Sequence, residues 1–102
     1  MNSDNTEPRY VISVTARMLG IQTHTLRYYE KIGIIEPARS RGNIRLYSER
    51  DIDRLRRVKT LMEDMGVNLA GVEVILRMSQ QMSELQRQME KMAAELRRLQ
   101  KE

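Results

Sequence analysis

Six residues within seven positions, Thr23, His24, Thr25, Arg27, Tyr28 and Tyr29, offer hydroxyls, an imidazole and a guanidinium but no carboxylate. Hydroxyls and imidazole can hydrogen-bond to base edges, Thr and Tyr can also lay apolar surface on a thymine methyl, and Arg makes charge-assisted bonds to phosphate oxygens. Thr23, His24, Thr25 and Tyr28 are therefore expected at base edges, His24 as a neutral polar contact. Arg27 and Tyr29 are expected at phosphates. Arg27 could equally read a guanine, and residue type leaves both open. Outside this stretch Arg17, Arg39, Arg41, Asn43, Arg45 and Lys59 are the further phosphate candidates.

Covalent chemistry finds no support. There are no paired carboxylates in an apolar setting, no nucleophile with a base partner beyond His24, and no glycine-rich phosphate loop, so no catalytic residue is assigned. With no Cys and a single His, a zinc site, a disulfide and cysteine redox sensing are all excluded, and no cofactor is implied. The expectation is a binding protein, not an enzyme.

Two short helices must position the polar cluster. Leu26, Tyr29 and Ile32 recur at near-helical spacing and give the second helix a docking side, with His24, Arg27, Tyr28 and Lys31 on its other faces. Upstream, Ser13 is the expected cap of a helix ending at Gly20, with Val14, Met18 and Leu19 as its apolar face. Two short helices joined by a tight Gly-containing turn suggest a helix-turn-helix, whose second helix lies in the DNA major groove. Such pairs also occur in proteins that never meet nucleic acid, so the neighbouring segments decide.

Those segments are basic. From Met1 to Thr60 there are 12 Lys and Arg against 7 Asp and Glu, net +5, and from Leu61 to Glu102 there are 6 against 7, net −1. Local positive charge is what displaces counterions from a polyanion. Ile44 and Leu46 alternate with Arg45 and Tyr47 after the turn residues Gly42 and Asn43, predicting a hairpin with a basic tip, and beside a helix-turn-helix such a hairpin is a wing. Ser48 to Asp51 has capping-box spacing ahead of a helix with the stripe Ile52, Leu55, Val58, Met62 and Met65, closed by Gly66.

Asn68 caps a further short helix, expected from Leu69 to about Met78. Beyond it Met78, Met82, Leu85, Met89, Met92, Leu96 and Leu99 form an unbroken heptad seam. A helix over 81–102 is about 33 Å long at 1.5 Å per residue and needs a partner to cover its seam. A second copy is the economical partner, with Met82, Leu85, Met89, Met92, Leu96 and Leu99 as dimerisation residues. The chain's own head or a different protein are the other candidates. A homodimer would set two basic heads on one inverted repeat of double-stranded DNA.

The expected organisation is a flexible tail over 1–8, a winged helix-turn-helix over 9–78 and a coiled-coil dimerisation helix over 79–102, a mainly α fold with a small β-hairpin wing. The polar amino terminus is unlike a signal peptide and no apolar run reaches membrane-spanning length, so a cytoplasmic, nucleoid-associated protein is expected. A coiled-coil adaptor whose basic head binds an acidic protein is the alternative of another class.

Thr25-Leu26-Arg27-Tyr28-Tyr29-Glu30, then Gly33-Ile34-Ile35 with Pro37 and Arg39, then Arg45-Leu46-Tyr47-Ser48 with Asp51-Ile52, resembles the DNA-binding head of the MerR family in order and spacing over about Tyr10 to Leu76. Tyr10 to Val14 and Asn68 to Val72 are most similar to the family's heat-shock repressor branch, which implies a dimeric repressor of chaperone genes aided by a DnaK-like chaperone co-repressor. Pro37 to Ser40 and the Asn68 to Gly71 stretch are also similar to the nitrogen-regulator branch. Two positions depart from the family pattern. Gln22-Thr23 stands where Ser-Pro usually opens the recognition helix, so the cap must shift to Thr23 or weaken. Ile44 replaces a common wing Tyr.

Overall fold

The computed structural model describes residues 4–101, in two compact units that divide after Gly66. The first contains α1 (Ile12–Leu19), α2 (Thr23–Lys31), β1 (Ala38–Arg39), β2 (Arg45–Leu46) and α3 (Glu49–Lys59), which continues into a π-helical turn (Thr60–Asp64). The second is one helix, α4 (Leu69–Gln100).

Helix α1 starts two residues earlier than its sequence suggests. Tyr10 and Tyr47 exchange backbone hydrogen bonds of 2.9 and 2.7 Å, a bridge that leaves Val11 extended as the N-cap. Ser13 consequently lies inside the helix and caps nothing. The buried face is Thr15, Ala16 and Leu19, with Ile12 half-buried, whereas Val14 and Met18 are exposed. Hydropathy favours Val14 and Met18, but the small Thr15 and Ala16 let neighbouring helices approach closely, and packing decides. Gly20, at φ 67°, closes α1 with its own N–H on the Arg17 carbonyl and the Ile21 N–H on the Ala16 carbonyl.

Helix α2 has Gln22 as N-cap without a side-chain bond, so the capping signal weakens rather than moving to Thr23, which is the first helical residue. Leu26 is fully buried and Tyr29 and Ile32 are half-buried, as their spacing requires. Truncating Leu26 to Ala would cost about 2–5 kcal/mol. Gly33, at φ 86°, ends the helix, and Ile34 and Ile35 turn back into the core.

The hairpin pairs Ala38 with Leu46 and Arg39 with Arg45, antiparallel. Its tip is closed by the Ser40 N–H on the Ile44 carbonyl and by Asn43 in the left-handed region at φ 65°. Ile44, expected to face inward beside Leu46, is 55 % exposed because β2 begins only at Arg45. The anchor is Tyr47, drawn fully into the core by its bridge to Tyr10.

Ser48 and Asp51 form the capping box of α3, at 3.1 and 3.0 Å, worth about 1 kcal/mol. Ile52, Leu55 and Val58 are buried. The Met65 N–H reaches the Thr60 carbonyl five residues back, and this wider turn rotates Met65 out of the expected stripe, leaving it 66 % exposed. Ala16, Leu19, Leu26, Ile35, Tyr47, Ile52 and Leu55 make one core.

Of the tail expected over 1–8, residues 1–3 lie outside the described residues. Asp4 to Glu7 form a turn, and the Asn5 carbonyl accepts from the Arg50 N–H, one of the unpaired donors at the start of α3, which ties this segment down.

In the second unit Asn68 caps α4 through the Gly71 N–H at 2.8 Å. The short helix and the final segment expected as separate pieces are a single helix of 32 residues, about 48 Å long. Its seam residues from Met78 to Leu99 are 52–70 % exposed, so this chain leaves them uncovered.

Candidate nucleic-acid interface

One carboxylate organises the basic side chains of the hairpin. Glu30, at the end of α2, accepts from Arg45 Nε at 2.5 Å on one oxygen and from Arg39 Nη2 at 2.9 Å on the other. Arg39 and Arg45 are cross-strand partners, so the carboxylate spans the ladder and ties the hairpin to α2. Arg39 also donates through Nη1 to the Asn43 carbonyl at 3.2 Å. The hydrogen bond from Arg45, with Arg39 adding to it, holds the Glu30 carboxyl below the usual carboxylate range, and Glu30 in turn raises Arg45. Two guanidiniums on one carboxylate leave a positive excess.

Beside this clamp α2 presents His24, Arg27 and Tyr28 exposed, with Thr23 and Thr25 half-buried. The Tyr28 and Tyr29 rings lie 6.4 Å apart and tilted, Tyr28 outward and Tyr29 half-buried. Arg17 is exposed on α1, and Arg41 is exposed at the hairpin tip without an ion-pair partner among the described residues.

Two expected phosphate contacts outside the hairpin, Lys59 and Tyr29, have partners within the head. Lys59 donates to the Leu19 carbonyl at 2.7 Å, satisfying the end of α1. A Cβ on Gly20 would come to 3.3 Å from that ammonium, a tight approach. The Tyr29 hydroxyl donates to the Met62 sulfur at 3.6 Å, and burial raises its pKa. Both residues line a crevice of about 280 Å³ with Leu19, Ile21, Leu55 and Met62. Lys59 thereby ties α3 to α1, and Tyr29 ties α2 to the π-helical turn.

Residues 10–79 match the model of the MerR HTH family of regulatory proteins. The chain belongs to the MerR family. Members of this family are regulators of transcription, not enzymes. The chain is 45% identical over 89 residues to a provisionally named heat shock protein HspR of Streptomyces coelicolor, covering 87% of this chain and 59% of that protein. It is 34% identical over 77 residues to the transcriptional regulator GlnR of Bacillus anthracis, covering 76% of this chain and 59% of that one. It thus spans about three-fifths of the length of these relatives.

Among solved structures, a MerR family transcriptional regulator from Bacillus cereus superposes with TM-score 0.63 at 26% identity, covering 90% of this chain and 72% of that one. HiNmlR, a MerR family regulator lacking the sensor domain and bound to promoter DNA, gives the same TM-score at 20% identity, covering 90% and 76%, a likeness of fold.

Within this MerR head, residue types and spacing pointed to the arginines but missed the job of Glu30. Its acidity argues against a polyanion contact, and its partners lie 9 and 15 positions away, so no local pattern joins them. Arg54 is a second case: its Nε donates to the Ile34 carbonyl at 2.8 Å, 20 positions away.

Proposed function

We propose that this chain is a dimeric, DNA-binding repressor of chaperone and heat-shock genes of the HspR kind, acting at an inverted repeat on the nucleoid. The observation that carries the reading is the exposed polar face of α2 beside a basic hairpin braced to the same helix by Glu30. Thr23, His24, Thr25 and Tyr28 read base edges. Arg17, Arg27, Arg41 and Arg45 engage phosphates, while Arg39, expected among them, has its terminal nitrogens on Glu30 and the Asn43 carbonyl and with Asn43 shapes the tip. The heat-shock branch is favoured over the nitrogen-regulator branch by 45% against 34% identity.

A second copy pairs through Met82, Leu85, Met89, Met92, Leu96 and Leu99, which sets two heads on two half-sites. The same likeness to HspR supports a DnaK-like chaperone as co-repressor, recruited to the bound dimer. A salt-titrated gel shift with fragments upstream of chaperone and nitrogen-assimilation genes, followed by footprinting, tests the reading. A two-fold footprint on the chaperone fragments is expected. Equal retention of all fragments, or of none at low salt, overturns it.

A further inference from the structure

The two hairpin arginines gripped by Glu30 are not equivalent. Arg39 commits both terminal nitrogens, Nη2 to Glu30 and Nη1 to the Asn43 carbonyl, and so spans from α2 to the tip. Arg45 is held only through Nε, and its two terminal nitrogens have no hydrogen-bond partner among the described residues. A guanidinium is a planar fork: fixing its Nε edge fixes the direction in which the Nη1 and Nη2 edge points. That remaining edge has the geometry for bidentate contact with a phosphate.

We propose that Glu30 is a positioning residue for DNA, clamping Arg45 by its Nε so that its terminal nitrogens meet one backbone phosphate, while Arg39 serves as the strut between α2 and the hairpin tip. The proposal deepens the duplex-binding reading and rests on it. Burial supports it: the Glu30 and Arg45 side chains are 23% and 26% exposed, so the pair is less screened than a surface ion pair. The clamp also accounts for an acidic residue beside a polyanion site. Its own charge repels phosphate, but ordering a long side chain before binding removes an entropic cost that the complex would otherwise carry.

The sign of one substitution separates the two effects. Glu30→Gln removes a negative charge, and if Glu30 were only a repelling carboxylate, every duplex would bind more tightly. Loss of the clamp instead predicts binding weakened about fivefold on all duplexes. It also predicts that ethylation of one phosphate stops interfering with binding, the same phosphate at which Arg45→Gln abolishes the interference. In the Arg45→Gln background, Glu30→Gln should weaken binding by less than it does in the parent chain, because the guanidinium it aims at the phosphate is gone and only its hold on the Arg39 strut remains to be lost.

Tighter binding by Glu30→Gln overturns the proposal, as does full additivity of the two substitutions. Circular dichroism reports folding. If Glu30→Gln folds poorly, Glu30→Asp takes its place, since it keeps the charge but withdraws the carboxylate by one methylene; the same weakening is expected, and unchanged binding or full additivity with Arg45→Gln overturns the proposal. Failure of the wild-type chain to retard any duplex would refute the underlying DNA reading instead.

Discussion

Lys59 Nζ sits 2.7 Å from the carbonyl oxygen of Leu19, a contact made across 40 positions of sequence that joins the end of α3 to the end of α1. The carbonyl is among the acceptors a helix end leaves unpaired, and a cation there also complements the helix dipole. Lys59→Met should lower stability by about 1.5 kcal/mol, the bottom of the range for a hydrogen bond to a charged group, because the side chain is partly exposed. The slope of log affinity against log salt should stay unchanged. Urea unfolding and a salt-titrated gel shift measure the two, and a slope shallower by about one would return Lys59 to the phosphate contacts.

The Tyr47 hydroxyl is buried without a hydrogen-bond partner among the described residues. Tyr47→Phe keeps the ring and removes the unpaired group, so stability should rise by about 1 kcal/mol. Burial pushes this phenol above its ordinary range. Its contribution is complete below that range and declines as pH rises toward the raised value, because the unfolded chain loses the proton first. The variant should therefore resist alkaline unfolding better than the parent, and a variant that unfolds in less urea at neutral pH would contradict this.

Acid should act on the Glu30 clamp. Its carboxyl is held low by Arg45 first and Arg39 second, so its stabilisation is present above the usual carboxylate range and disappears as pH falls through the lowered value. For a pair near the surface the loss is under about 1 kcal/mol. Urea midpoints between pH 7 and pH 3 should fall less for Glu30→Gln than for the parent. Identical pH profiles would mean that the clamp contributes nothing to folding.

Tyr28 and Arg41 should separate sequence reading from charge. Tyr28→Ala is expected to cost about 1–3 kcal/mol on the preferred site and little on mixed duplex, since a base contact discriminates. Arg41→Ala should weaken all duplexes alike and reduce the salt slope by about one. Competition gel shifts measure both, and equal loss of discrimination in the two variants would refute the division of roles.

Met89 lies midway along the proposed pairing seam and is 69% exposed in one chain. Met89→Glu would bury a carboxylate against apolar neighbours in a paired tail, weakening dimerisation at least about 100-fold on the scale of burying an unpaired charge. Sedimentation equilibrium should show the parent as a dimer and the variant as a monomer at micromolar concentration. A variant that stays dimeric removes the seam from the interface.

What the chain could declare by itself was whatever closes within a few residues. The Ser48–Asp51 box, the Asn68 cap, the glycines that end α1 and α2 and the heptad of α4 are satisfied by hydrogen bonds or spacings three to five positions long, so residue order specifies them. Tertiary structure decided the rest. Thr15 and Ala16 outrank Val14 and Met18 because close helix approach needs small side chains. Tyr47 displaces Ile44 as the buried anchor because Tyr10 pairs with it. Lys59, Tyr29 and Glu30 have partners that only the packed helices and folded hairpin bring within reach. The physical reason is common to all of them: a charged or polar side chain takes the nearest partner the fold provides, and its neighbours in sequence do not reveal which partner that is.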